Sequence, residues 1–264
     1  MDPIARFKEG QRATWANFAV VEGMTCTAAP KLVRFAGVKA GDAVLDVGCG
    51  TGVVALTAAR AGAKATGVDL TPELVARAEE NAALMELGVE FHRGDCEHLP
   101  FADATFDVVM SQFGHMFAPR PEVAAREMLR VLKPGGMIAF STWPPDRFTG
   151  RFFKLVASYG PPLPPEVAPP IQWGEPDVVR ARLGDAVKDV TFEREVMRMP
   201  ALSTHHAQLF MERNLGPATK ALASLEAEPE RAEALRAELR ALIGAYFEDN
   251  TVRQDFLMTR ATKA

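Results

Sequence analysis

The sequence predicts an α/β fold: a doubly wound, mostly parallel sheet of seven strands, with a helical cap inserted between the last two. Three observations predict it. Between residues 41 and 142, short β-branched runs alternate with helical segments. Two later stretches, 187–199 and 253–263, alternate like strands, and a helical pattern over 202–247 separates them. The first strand opens into the glycines Gly48, Gly50 and Gly52, where sheets of this kind meet their ligands.

Taken in order, residues 1–40, with Trp15 and Phe18 one helical turn apart, read as a helical cover. The core, 41–143, carries strands at "DAVLDVG" (42–48), "KATGVDL" (64–70), "VEFHRGD" (89–95), "FDVVMSQ" (106–112) and "GMIAFSTW" (136–143). Gly, Pro or Asp bounds each of them. Between them, "TGVVALTAARAG" stops at Gly62, and "TPELVARAEENAALMELG" starts with Thr71 as N-cap and Pro72 at the first helical position. A third helix is expected at "RPEVAAREMLRVL" (120–132).

Residues 144–200 hold a loop, a helix and a strand. The loop, "PPLPPEVAPP" (161–170), contains six prolines, which suit neither a helix nor a central strand and suggest a stiff surface segment contributing to a lid. In the cap, 201–250, Leu235, Leu239, Leu242, Ile243 and Tyr246 fall on one helical stripe. Residues 251–264 form the last strand, and the whole chain reads as one domain.

Composition narrows the class. The 264 residues are 48% hydrophobic and 24% charged, with a net charge of −4, an ordinary soluble balance. No apolar run of 18 residues occurs, so membrane insertion is not expected. "MDPIARFKEGQR" is charged and lacks the apolar stretch of a secretory signal. With three cysteines, Cys26, Cys49 and Cys96, lacking metal-ligand spacing, a reduced cytoplasm and no metal are expected. Mild acidity argues against a nucleic-acid partner.

The glycine loop has an unusual entrance. Its glycines run Gly-x-Gly-x-Gly, and Val53 fills the last slot of a dinucleotide fingerprint. Asp46 puts a carboxylate where a pyrophosphate would want none. A nicotinamide-dependent oxidoreductase is therefore the weaker reading. Asp46 suits an ammonium group instead. Asp69, at the end of the second strand and seventeen residues past Gly52, is placed to accept hydrogen bonds from both hydroxyls of a ribose. Asp95 ends the third strand, where it would accept a bond from an adenine amino group. An adenosine, no phosphate and a cationic tail together describe S-adenosylmethionine.

"VLDVGCGTG", "GVDLTPELV", "FHRGDCEHLPF", "FDVVMSQFGHMF" and "EMLRVLKPGGMIAFSTW" occur in register. Together they resemble the class I S-adenosylmethionine-dependent methyltransferases, in the small-molecule branch that includes the quinone C-methyltransferases. The resemblance is close over 41–143 and looser over 144–264. It implies a Rossmann-like sheet, with Asp46 at the methionine ammonium, Gly48, Cys49, Gly50 and Gly52 around the cofactor, Asp69 at the ribose and Asp95 at the adenine. It also implies that Leu70 packs on the adenine, that Cys96 offers its backbone N–H to the ring, and that Ser111 and Gln112 face the methionine portion.

Methyl transfer to a small, partly apolar acceptor through O, N or C then follows, by in-line displacement with water excluded. His115, just past the fourth strand, is the candidate base for a hydroxyl or carbon acceptor, with a packing histidine beneath the cap as the alternative. Trp15, Phe113 and Trp143 are candidate acceptor contacts, with core filling as the alternative. A non-catalytic S-adenosylmethionine sensor is the reading from another class. Arsenite methylation is disfavoured, because it needs several reactive cysteines and only Cys26 lies outside the motifs.

Overall fold

The computed structural model describes residues 2–264. The chain runs α1 (Pro3–Trp15), α2 (Glu22–Thr25), α3 (Ala29–Ala36), β1 (Ala43–Val47), α4 (Val53–Arg60), β2 (Lys64–Asp69), α5 (Pro72–Leu84), β3 (Glu90–Arg93) and β4 (Phe106–Gln112). It continues with α6 (Pro121–Val131), β5 (Leu132–Thr142), α7 (Phe148–Tyr159), α8 (Pro176–Leu183) and β6 (Val187–Pro200). The last part holds α9 (Thr204–Asn214), α10 (Gly216–Ser224), α11 (Pro229–Gly244), β7 (Phe247–Glu248) and β8 (Thr251–Lys263). The sheet order is β3-β2-β1-β4-β5-β8-β6, with β7 paired to β8. β1 to β5 pair in parallel, and β8 lies antiparallel between β5 and β6. The seven expected strands are present, and the two-residue β7 is an addition.

Alternation of strand and helix forces this arrangement, because parallel neighbours need crossovers that cover the sheet faces. β1 and β4, in mid-sheet, are almost wholly buried, with Val44, Leu45, Val47, Val109 and Met110 at their centre. Among the described residues no helix is long and apolar enough to cross a membrane.

Four boundaries differ from expectation. β5 begins at Leu132 instead of 136, because Leu132 already pairs with Phe106 and the Pro-Gly-Gly turn is absorbed as an irregularity in that ladder. α3 is core and not cover: Ala29, Leu32, Val33 and Ala36 are buried and the helix packs on α4 and β5. The cap is three helices, broken where Pro217 and Pro229 start new ones. Gly216 at the first break lets α10 abut α1, since a Cβ there would meet the Thr14 carbonyl oxygen at 2.3 Å. The proline-rich loop is irregular up to Pro169. Ala168 donates its N–H to the Pro119 carbonyl at 3.1 Å, and the loop takes no part in the cavity described below.

The cap forms its own apolar cluster, in which Leu235, Leu239, Leu242 and Ile243 of α11 meet Phe148 and Phe152 of α7 and Val252 of β8. Tyr246 is half-buried just beyond α11. The cap leaves the sheet at Pro200 and returns at Thr251, which are register partners, and Ala201 donates its N–H to the Asn250 carbonyl at 2.8 Å.

Candidate active site

The carboxyl ends of β1 to β4 open into one cavity of about 190 Å³, roofed by α1, α7, the end of α9 and the start of α10. At its floor the β1–α4 turn is tied to β2: Gly48 and Cys49 both donate backbone N–H groups to the Val68 carbonyl, at 2.8 and 3.0 Å. Gly48 has φ +64°, and a Cβ on it would lie 2.8 Å from Gly114 Cα, so two backbones cross there as only glycine permits. Gly50 donates its N–H to Asp69 Oδ2 at 2.9 Å, and Thr71 N–H reaches Asp69 Oδ1 at 2.8 Å. Asp69 is buried at the cavity wall, and burial pushes its carboxyl above the ordinary range.

Asp46 is deeper. One oxygen, Oδ2, accepts the Ala55 N–H at 3.1 Å in the first turns of α4. Oδ1 has no partner, and the carboxylate lies on a recess of about 30 Å³ shared with Thr25, Gly48, Gly50 and Gln112. Burial first, and the neighbouring Asp69 charge after it, raise Asp46 to about 7. A buried carboxylate with one empty oxygen is short of a hydrogen-bond donor, and a cation relieves both deficits. The residues therefore fit the ammonium and ribose of S-adenosylmethionine.

Asp95 lies at the other end. Its Oδ1 accepts the Glu97 N–H at 2.9 Å, and Lys8 of α1 donates to Oδ2 at 2.6 Å. Lys8 also reaches Glu97 at 2.6 Å, and Glu97 in turn accepts from the Arg120 backbone and guanidinium. Leu70 and Cys96 line the cavity beside Asp95. Nothing in the sequence periodicity pointed to Lys8, Glu97 or Arg120, because Glu97 pairs with Lys8 from 89 residues away and with Arg120 from 23.

Three cofactor candidates stand elsewhere. Ser111 is fully buried, donating to the Val47 carbonyl at 2.5 Å and accepting the His115 N–H at 3.0 Å; it braces the β4 turn and does not reach the cavity. Gly52 makes room for packing, since a Cβ there would meet Phe91 at 2.8 Å and Ala78 at 3.1 Å. Cys49 touches only the small recess, and burial raises its thiol. Gln112 does line both spaces: Nε2 donates to the Thr25 carbonyl at 2.9 Å and Oε1 has no partner.

Much of the remaining cavity wall is aromatic. Trp15, Phe113 and Trp143 all line it. Trp143 stacks on Phe113 at 3.9 Å, and Trp15 meets Phe117 at 4.6 Å. Phe113 holds φ +61°, a costly conformation for a non-glycine residue that here aims its ring into the cavity. Phe117, Phe148, Phe152, Phe153, Met197 and Met211 complete the lining. None of these six was legible in the sequence, since they come from the turn after β4, from α7, from β6 and from α9, with no motif among them.

His115 is not there. It is fully buried, away from the cavity, against Phe140 at 4.6 Å and Trp173 at 4.7 Å, and neither ring nitrogen has a partner. Burial, then the Arg182 charge, lower it to about 3. A neutral ring in the core cannot take a proton from an acceptor, so the expected base role does not hold. Unfolding frees this histidine to bind a proton below its ordinary value of about 6.5, whereas the folded ring binds none until about 3. Its contribution to stability is thus present above pH 6.5 and lost as pH falls through 6.5 towards 3. His115→Leu is expected to flatten this loss: the stability gap between wild type and variant should move in the variant's favour by roughly 1 kcal/mol per pH unit between 6 and 4 in urea titrations. A constant gap would contradict it.

Among the described residues no three His, Cys, Asp or Glu side chains group to hold a metal. Residues 45–140 match the family model described as a methyltransferase domain. The chain is also 35% identical to an uncharacterized protein of Mycobacterium tuberculosis over 256 residues, 96% of this chain and 93% of that one.

The chain belongs to the class I S-adenosylmethionine-dependent methyltransferases. Its cofactor is S-adenosylmethionine. This methyltransferase is 44% identical over 108 residues to a ubiquinone/menaquinone biosynthesis C-methyltransferase of Nitrobacter hamburgensis, covering 38% of this chain and 43% of that one. The YcgJ protein of Bacillus subtilis shares the fold, with a TM-score of 0.60 at 19% identity, over 90% of this chain and 98% of that one.

Proposed function

We propose that this methyltransferase transfers a methyl group to a small, largely apolar acceptor held beneath the cap, and that the acceptor brings its own nucleophile. The observation that carries this reading is the composition of the acceptor side: aromatic rings and thioethers line it, and the ionisable groups on the cavity wall, Lys8, Arg12, Asp69, Asp95 and Cys96, belong to α1 or to the ends of β2 and β3. When bound, S-adenosylmethionine supplies a methyl group that is electrophilic without further activation. The protein's tasks are then to orient the acceptor and to exclude water.

In this reading Asp46 holds the ammonium group, directly or through one water, with Gln112 beside it. Gly48 and Gly50 let the chain approach the cofactor, and Asp69 accepts from the ribose hydroxyls. Leu70 packs on the adenine, while Asp95 and the Cys96 N–H meet its edge. Trp15, Phe113 and Trp143 surround the reacting sulfonium, where aromatic faces tolerate positive charge. With no base at hand, suitable acceptors are activated carbons, amines, thiols or preformed phenolates. A carbon acceptor agrees with the name of the Nitrobacter relative, a C-methyltransferase whose similarity covers 38% of this chain. Arsenite is the poorer acceptor, since Cys49 is buried and burial raises the thiols of both Cys49 and Cys96.

Parallel calorimetry with S-adenosylmethionine, S-adenosylhomocysteine and NADH tests the cofactor half. Micromolar binding of the sulfur compounds and none of NADH is expected. A turnover screen across phenols, enolisable ketones, amines and thiols then tests the acceptor class, and activity confined to highly charged acceptors would overturn it.

A further inference from the structure

β8 breaks its own pattern. Val252, Gln254 and Phe256 alternate onto the face beneath the cap, all buried, and the middle one is polar. Gln254 pairs across the ladder with Met197 of β6, and its amide lies on the cavity wall beside Thr149 of α7. Thr149 donates its hydroxyl to Gln254 Oε1 at 3.2 Å. Gln254 Nε2 has one partner, the Met24 thioether at 3.5 Å. A thioether sulfur is a weak acceptor and cannot donate, which keeps Nε2 on that side and leaves an amide N–H without a good acceptor. Both residues are more than nine-tenths buried. Gln112, Thr25 and Gln11 also line the cavity, but Gln112 Nε2 already donates to the Thr25 carbonyl at 2.9 Å beside the glycine-loop recess, and Gln11 Oε1 accepts from Trp15 at 2.8 Å.

We propose that Gln254 is the specificity-determining polar anchor of the acceptor site, donating a hydrogen bond from Nε2 to an oxygen of an otherwise apolar, ring-sized acceptor. This rests on the methyltransferase reading of the same cavity and names the acceptor class: a cyclic ketone, quinol or phenol-like molecule whose single buried oxygen meets the amide. Thr149 is a positioning residue, holding Oε1 so that the N–H groups face inward. The logic is that of a site built for one oxygen: a hydrocarbon of equal size fills the space but leaves the amide unsatisfied, whereas a carbonyl satisfies it. Leucine at 254 would give a continuous apolar face and a more comfortable core, so the glutamine is a choice made against stability.

The test uses full-length protein and three pairs of probes: cyclohexanone with cyclohexane, 1-indanone with indane, and 1-tetralone with tetralin. Each is titrated with and without saturating S-adenosylhomocysteine, read by the emission of Trp15 and Trp143. At least one ketone is expected to bind about tenfold more tightly than its hydrocarbon. Gln254→Leu should erase that preference while leaving S-adenosylhomocysteine affinity unchanged and thermal stability equal or higher. Thr149→Val should reduce the preference and Thr149→Ser should retain it, which covers the case of a poorly folding Gln254 variant. Equal binding of ketones and hydrocarbons by the wild type, or a preference that survives Gln254→Leu or Thr149→Val, overturns the proposal. Absence of S-adenosylhomocysteine binding with the ketone preference intact would instead fail the cofactor assignment alone.

Discussion

Asp69→Ala is expected to weaken S-adenosylhomocysteine binding about a hundredfold in calorimetry. The carboxylate is buried, and its two oxygens already accept the Gly50 and Thr71 N–H groups, which aim the remaining lone pairs at the cavity. Two ribose hydroxyls donating to a charged acceptor are worth ~1.5–3 kcal/mol each, and a total of about 3 kcal/mol corresponds to the stated factor. The variant also releases the Gly50 and Thr71 amides, so the glycine turn should loosen. Asp69→Asn, which keeps an acceptor oxygen, separates the two effects with an intermediate loss. An Asp69→Ala protein that binds as well as wild type would remove Asp69 from the ribose.

The second large effect is a pH dependence of cofactor affinity. In the free protein Asp46 titrates at about 7 because it is buried and faces Asp69. An ammonium group beside its unpartnered Oδ1 favours the charged form and lowers that value, so binding expels a proton wherever Asp46 was protonated. Below pH 7 the affinity should fall about tenfold per unit, and above 7 it should level off. A further fall is expected above about pH 8, as the ligand's own α-amino group loses its proton. Calorimetry at pH 5.5, 6.5 and 7.5, in buffers of differing ionisation heat, counts the released proton directly. Asp46→Asn should bind more weakly yet show no slope between pH 5.5 and 7. Equal wild-type affinity at 5.5 and 7.5 would dismiss Asp46 as the ammonium partner.

The cofactor half could be read from the chain because its signals are local. A strand, a glycine turn and an acid at the strand end occupy a dozen residues, and the positions of Asp46, Asp69 and Asp95 follow from where each strand stops. The failures have a common cause in distance along the chain. Ser111 and Gln112 are neighbours whose side chains point to opposite faces of β4, and only the surroundings say which face holds the ligand. His115 depends on the turn Pro170–Gly174 and on Arg182 of α8, which bring Trp173 and a buried cation over it from some sixty residues away. Gly52 was right as a glycine and wrong as a contact, since the phenyl ring of Phe91 on β3 occupies its open side. The rest of the cavity wall escaped for the same reason: α7 supplies Phe148, Thr149, Phe152 and Phe153, and α9, α10 and β8 supply one residue each, with no motif among them. Gln254 alone left a trace, as a polar residue at an apolar position of an alternating strand.

The cap begins at Ala201 and ends at Asn250, two residues joined by a backbone hydrogen bond across neighbouring strands. In chain-topological terms it is a long loop on a hairpin, whose mouth is already closed by the β6–β8 ladder. Its length therefore adds little to the entropy of closing that mouth, and its contents can be exchanged without moving a residue of the parallel strands that carry the glycine turn. The cap is thus a cassette that can be lengthened or exchanged, altering the part of the cavity wall that Met211, Leu215 and Pro217 supply, while the residues from α7, β6 and β8 stay in place.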